Sequence, residues 1–178
     1  MSRVSFHEIP VNPGRRGVIM ESWPVGLTFA ATLGSGLIAG VFFAFSSFVM
    51  AALRRRPAAE GMAAMQAINI AAINPAFLGV FLGTAAAGAV LGGFAVMRWS
   101  RPGAAYLLAG AGLYCVGTFL VTMLFNVPLN NALAKATPGE ASAEQLWIRY
   151  ATRWTLWNHV RTAAAAAAMT LFAMALRQ

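Results

Sequence analysis

The chain alternates long apolar runs with short polar joints. The runs extend from Pro24 to Leu53, Pro75 to Met97, Ala104 to Phe125 and Trp154 to Leu176. Each is long enough for a helix to cross about 30 Å of hydrocarbon, which takes roughly 20 residues. The joints are short and carry Arg, Pro and Gly, so the pattern predicts one compact unit without internal repeats. Gly36 with Gly40, Gly79 with Gly83 and Gly88 with Gly92 have the small-xxx-small spacing that lets helices approach closely. Phe42, Phe43, Phe45 and Phe48 go around more than one face of the first run, so some must meet lipid and others the bundle.

Composition carries the same message. Of 178 residues, 59% are hydrophobic and 10% charged, with a mean hydropathy of +0.65. That leaves too few charges to cover a soluble surface of this size. The expectation is an all-α integral membrane four-helix bundle over residues 24–178, preceded by a polar tail over residues 1–23. Arg3, His7, Glu8, Arg15 and Arg16 make that tail too polar for the apolar core of a cleaved signal peptide.

The formal charge of +8 is dispersed at helix ends, which argues for phospholipid headgroups and against nucleic acid as the basic residues' partner. Arg3, Arg15, Arg16, Arg98, Arg101 and Arg177 fall on the side of the termini. Arg54, Arg55, Arg56, Lys135, Arg149 and Arg153 fall on the other. This tie leaves the orientation undecided, although four spans put both termini on one side of a membrane, the bacterial inner membrane being the expected one. A homo-oligomer is compatible with the pattern. Cys115, the single cysteine, cannot form an internal disulfide and reads as a small core residue.

Polar side chains inside such runs are costly and mark candidate sites. In WTLWNHVRT, at about 100° per residue, Tyr150, Trp154, Trp157, Asn158 and Arg161 share a helical face, and His159 points more than about 90° away from it. Arg149 and Arg153 read as interfacial anchors. Arg161 lies two turns deeper, with an alanine run after it. In TFLVTMLFNVPLNNAL, Thr122, Asn126 and Asn130 are spaced by four, and Pro128 must leave one carbonyl without its helical partner. In MQAINIAAINPAF, Asn74 before Pro75 predicts an N-cap, and Gln66 and Asn69 can face inward together. The candidate pocket therefore lies between the third and fourth spans, at the end opposite the termini.

The runs GLIAGVFFAFSSFVMAAL, MQAINIAAINPAF, NVPLNNAL and WIRYATRWTLWNHVRTAAA, in this order, resemble the bacterial branch of the anthrone oxygenase-like membrane proteins. The resemblance spans roughly residues 33–167. It implies a monooxygenase that uses O₂ to convert the activated methylene of a flat, hydrophobic aromatic molecule into a carbonyl. No metal or cofactor is expected: the chain has no Asp, its histidines His7 and His159 are separated by three spans, and no Gly-rich phosphate loop follows a strand.

Cofactor-free oxygenation needs a substrate that, once deprotonated, gives an electron to O₂ itself. Arg161 is the candidate to pair with the resulting anion, with Asn126, Asn130 and Asn158 as neutral donors. Trp154, Trp157 and Tyr150 would stack on the ring, and Asn69 joins the candidate wall. The base is either His159 or the substrate's own ionisation beside Arg161. Two other readings stay open: a non-catalytic module that binds a quinone-like molecule, and a haem protein with His159 as axial ligand.

Overall fold

The computed structural model describes residues 13–178, with side chains described from Ser22 onward. All the described regular structure is helical, in five helices. Helix α1 covers residues 13–54, α2 is Ala58–Ala71, α3 Pro75–Met97, α4 Ala104–Ala134 and α5 Ala141–Ala175. The expected polar tail lies mostly outside the described residues, His7 included, and α1 begins at Pro13, before the predicted start of the first run. Helix α4 passes Pro128 and ends at Ala134, beyond the predicted end at Phe125.

The four long helices close a ring: α1 packs on α3 and α5, and α4 on the same two. The short α2 lies across one end, against α5 and the last turns of α4. Three helices, the described part of α1 from Ser22, α3 and α4, are long and apolar enough to cross a membrane. Helix α5 spans 35 residues, with its polar side chains gathered in its first half. On α1, Val25, Phe29, Leu33 and Leu37 recur every fourth residue and are all more than half exposed. An apolar stripe of this length on the outside of a bundle suits a lipid environment better than water.

The bundle core is built from Ile38, Phe42, Phe81, Leu91, Tyr114 and Phe172, with alanines between them. A second cluster under α2 contains Met50, Met62, Met65, Leu133, Trp147, Tyr150 and Trp154. Small residues permit the close crossings, though not always those expected. A Cβ on Gly117 would come within 2.6 Å of the Ala164 Cβ, and one on Gly34 would strike Thr84. Gly88 and Gly92 do face Ala111 of α4. Gly36 faces Met169 of α5, where a Cβ would come within 2.9 Å of its sulfur, but its partner Gly40 and the pair Gly79 and Gly83 meet nothing within 4 Å. Phe42 is buried, whereas Phe43 and Phe48 point outward.

Two of the helices are interrupted by π-turns, in which an N–H reaches the carbonyl five residues back. In α1 the π segment is Phe45–Val49, where Met50 N–H donates to Phe45 O. In α4 it is Leu113–Leu120 and Thr122–Asn126, where Val127 N–H donates to Thr122 O. Pro128 supplies a reason for the second: it has no N–H for the carbonyl of Leu124, and its ring crowds that carbonyl. The widened turns re-aim the side chains that follow, a feature frequent at functional sites. Asn74 caps α3 as its sequence predicts, accepting Phe77 N–H at 2.9 Å with Pro75 at the first helical position.

Candidate functional site

The site is organised around Arg161, which is 3% exposed although it carries a full charge. Its Nη2 donates to Asn158 Oδ1 at 2.7 Å and its Nη1 to Thr122 Oγ1 at 3.2 Å. The guanidinium carbon sits 4.1 Å from the centre of the Phe42 ring and 5.1 Å from that of Trp154. Among the described residues no carboxylate pairs with it; the ion pair found there is the exposed Arg56–Glu60. Arg161 Nε, buried, has no hydrogen-bond partner. A cation held by neutral dipoles and aromatic faces keeps its field uncompensated, and low dielectric amplifies that field.

Asn158 is fully buried and joins three helical turns. Its Nδ2 donates to Phe42 O at 2.7 Å and to Ser46 Oγ at 2.7 Å, while its Oδ1 receives Arg161. Both amide protons are thereby used, so Asn158 orients the guanidinium and has no proton left for a ligand. Ser46 Oγ also lies 3.2 Å from Thr162 Oγ1. Ser46 sits in the π segment of α1, so the first span contributes to a site expected between the third and fourth. Its signal was visible as two serines, Ser46 and Ser47, inside an apolar run.

Asn126 and Asn130 of α4 face α5 but make no hydrogen bond to Arg161. Asn126 Nδ2 donates to Trp154 O at 3.2 Å, leaving its buried Oδ1 unpartnered. Asn130 Oδ1 accepts the Tyr150 hydroxyl at 2.9 Å, and Asn69 of α2 reaches the same hydroxyl. Thr122, named with them, is the α4 residue that meets the cation. Gln66 serves the chain itself, donating to the carbonyls of Leu133 and Ala136 where α4 ends.

The aromatic face divides. Tyr150 and Trp154 are buried and stacked, with centroids 6.4 Å apart at 30°, and Trp154 Nε1 has no partner. Trp157 is half-buried and stacks on Phe125 at 3.7 Å, outside the Arg161 cluster. His159, Arg149 and Arg153 are exposed on α5. Among the described residues no three His, Cys, Asp or Glu side chains come together. Cys115 is half-buried and donates to Ala85 O at 3.5 Å.

The family model described as anthrone oxygenase matches residues 75–171, more than half of the chain. The chain belongs to the anthrone oxygenase family. No curated protein and no solved structure matches it. The part matched to the anthrone oxygenase model holds α3, α4 and most of α5, and so contains Thr122, Asn126, Asn130, Tyr150, Trp154, Asn158 and Arg161. Phe42 and Ser46 of α1, and Asn69 of α2, complete the same cluster from outside it.

Proposed function

We propose that this protein is a membrane-embedded, cofactor-independent monooxygenase acting on a flat, weakly acidic aromatic substrate of the anthrone type. The observation that carries the reading is the buried, carboxylate-free Arg161, a ready counter-charge for an anion formed in place. Burying an arginine costs several kcal/mol, roughly, unless something repays it. Its neutral partners offset that cost without cancelling the charge, which is left to pair with a bound enolate.

In the reaction the substrate methylene and O₂ give a ketone and water. The substrate loses one proton to form an enolate whose oxygen lies against Arg161. The enolate passes one electron to O₂, and the carbon radical and superoxide join in a new C–O bond. The resulting peroxide takes up a proton, then loses water as its O–O bond breaks and the second C–H proton leaves. One oxygen atom ends in the ketone and one in water, so no reductant is consumed. Arg161 stabilises the enolate and then the oxygen anions, Asn158 and Thr122 hold it in position, and Tyr150 and Trp154 supply flat faces for the ring. Asn69, Asn126 and Asn130 line the surrounding wall, and Trp157, stacked on Phe125, lies outside it. Ionisation beside Arg161 takes the place of a side-chain base, since the exposed His159 faces away.

In this reading α5 is a fourth crossing, both termini lie on one side of the bacterial inner membrane, and the substrate arrives from the lipid. The test is O₂ consumption by the protein in lipid nanodiscs on adding anthrone, measured above the spontaneous rate, with the quinone followed by absorbance. Arg161→Gln should lose at least about 100-fold in rate, the size expected for deleting an oxyanion-stabilising donor. Wild-type protein that binds the aromatic but consumes no O₂ would instead be a carrier or binding module.

A further inference from the structure

The Arg161 cluster is closed by packed aromatic side chains, and open hollows lie elsewhere on the surface. One of about 360 Å³ opens where α1 ends, α2 begins and the first turns of α5 pass between them. It is lined by Arg54, Arg56, Glu144, Trp147, Ala151 and Thr152, among others. Its floor is Trp147, and from there rings follow one another inward. Trp147 stacks on Tyr150 with centroids 5.8 Å apart at 19°, Tyr150 stacks on Trp154, and Trp154 lies beneath the Arg161 guanidinium. The geometry points to this hollow as a staging site and portal for a flat polycyclic molecule, which reaches Arg161 by exchanging stacking partners along the Trp147–Tyr150–Trp154 ladder.

Three observations support the route. The ladder is continuous, so a planar ring keeps an aromatic neighbour at every stage. The side chains packed beside it include Met50, Met62 and Met65, all buried. Methionine is unbranched and adaptable, and yields space at little cost. The rim, third, mixes cations with the carboxylate of Glu144, and Arg56 is tied to Glu60. Such a rim suits the hydroxyls of a neutral, still protonated molecule, whereas the cation deeper in selects its anion. Gly61 lets α2 come close to both α1 and Trp147: a Cβ there would meet Leu53 O at 2.7 Å and the indole at 3.0 Å.

The identity of the cargo rests on the oxygenase reading, but the route is tested without catalysis. In nanodiscs, 1-hydroxyanthraquinone quenches tryptophan fluorescence on binding, and stopped-flow gives its association and dissociation rates. Thr152 is exposed on the rim, so Thr152→Cys, in a Cys115→Ala background, takes a bulky methanethiosulfonate label that reductant removes. Thr170→Cys, exposed further along α5, is the control. The label at 152 should slow association and dissociation together by about fivefold or more with Kd unchanged, the mark of a blocked passage rather than a damaged site. Reductant should restore both rates, and Ile148→Trp on the same rim should slow them without a label. Unchanged rates, a rise in Kd through dissociation alone, or no binding by the unlabelled protein would overturn the portal. Slowed binding without O₂ uptake upholds the portal and removes the oxygenase; normal binding with O₂ uptake does the reverse.

Discussion

Replacing Arg161 by methionine separates a residue kept for function from one kept for stability. The side chain is 3% exposed, so its charge is almost wholly desolvated. An arginine at mid-helix costs about 2.5–3.5 kcal/mol on insertion scales. Against this stand two hydrogen bonds, to Asn158 and Thr122, and two aromatic faces. Hydrogen bonds to a charge contribute about 1.5–3 kcal/mol each in soluble proteins, but side-chain pairs within membranes average about 0.6 kcal/mol. Each cation–π contact adds about 0.5–2 kcal/mol. Gains and cost are of similar size. Methionine fills much of the volume, removes the desolvation cost and orphans chiefly Asn158 Oδ1, because the Thr122 hydroxyl still donates to Thr118 O. The net change should stay within about 2 kcal/mol, or below about 8 °C in Tm. Activity should fall at least about 100-fold. Thermal unfolding followed by tryptophan fluorescence and O₂ uptake on the same preparation measure both. A loss of more than about 4 kcal/mol, or activity retained in the folded variant, would refute the assignment of the charge to the substrate.

Asn158→Asp places a carboxylate against Arg161 but turns its other oxygen toward the Phe42 carbonyl that Nδ2 had bonded, so it should lower Tm while abolishing turnover, because the cation is then neutralised; turnover near the wild-type rate would contradict this. Arg153→Ala and His159→Ala change exposed side chains and should leave both O₂ uptake and Tm close to wild type, and a large loss of turnover in His159→Ala would restore the histidine as base. Gly117→Ala forces its new Cβ against Ala164 and should destabilise by about 1–3 kcal/mol, with Ala164→Gly restoring stability in the double variant. Gly40→Ala, with open space around it, should be neutral or gain up to about 1 kcal/mol from helix propensity, checked by the same unfolding assay.

The helical, membrane-capable architecture was legible because it depends on sums along the chain. Run length and hydropathy determine whether a segment can satisfy its backbone in hydrocarbon, and no partner is needed to compute them. The Asn74–Pro75 start of α3 is equally local, since a cap is made with residues three positions away. The shared face of Tyr150, Trp154, Asn158 and Arg161 follows from regular helical phase. That phase breaks down where α4 widens into π-turns, so the sequence could align Thr122, Asn126 and Asn130 but not tell which of them would meet the cation. Nor could it separate Gly117, which touches Ala164, from Gly79 and Gly83, which touch nothing, because spacing along one helix says nothing of what lies opposite. The part played by Phe42 and Ser46 arises from contact with Asn158 across more than a hundred residues of chain. Only the packing of α1 against α5 brings them together, and it alone determines that Asn158 spends both of its donors on holding Arg161 rather than on a ligand.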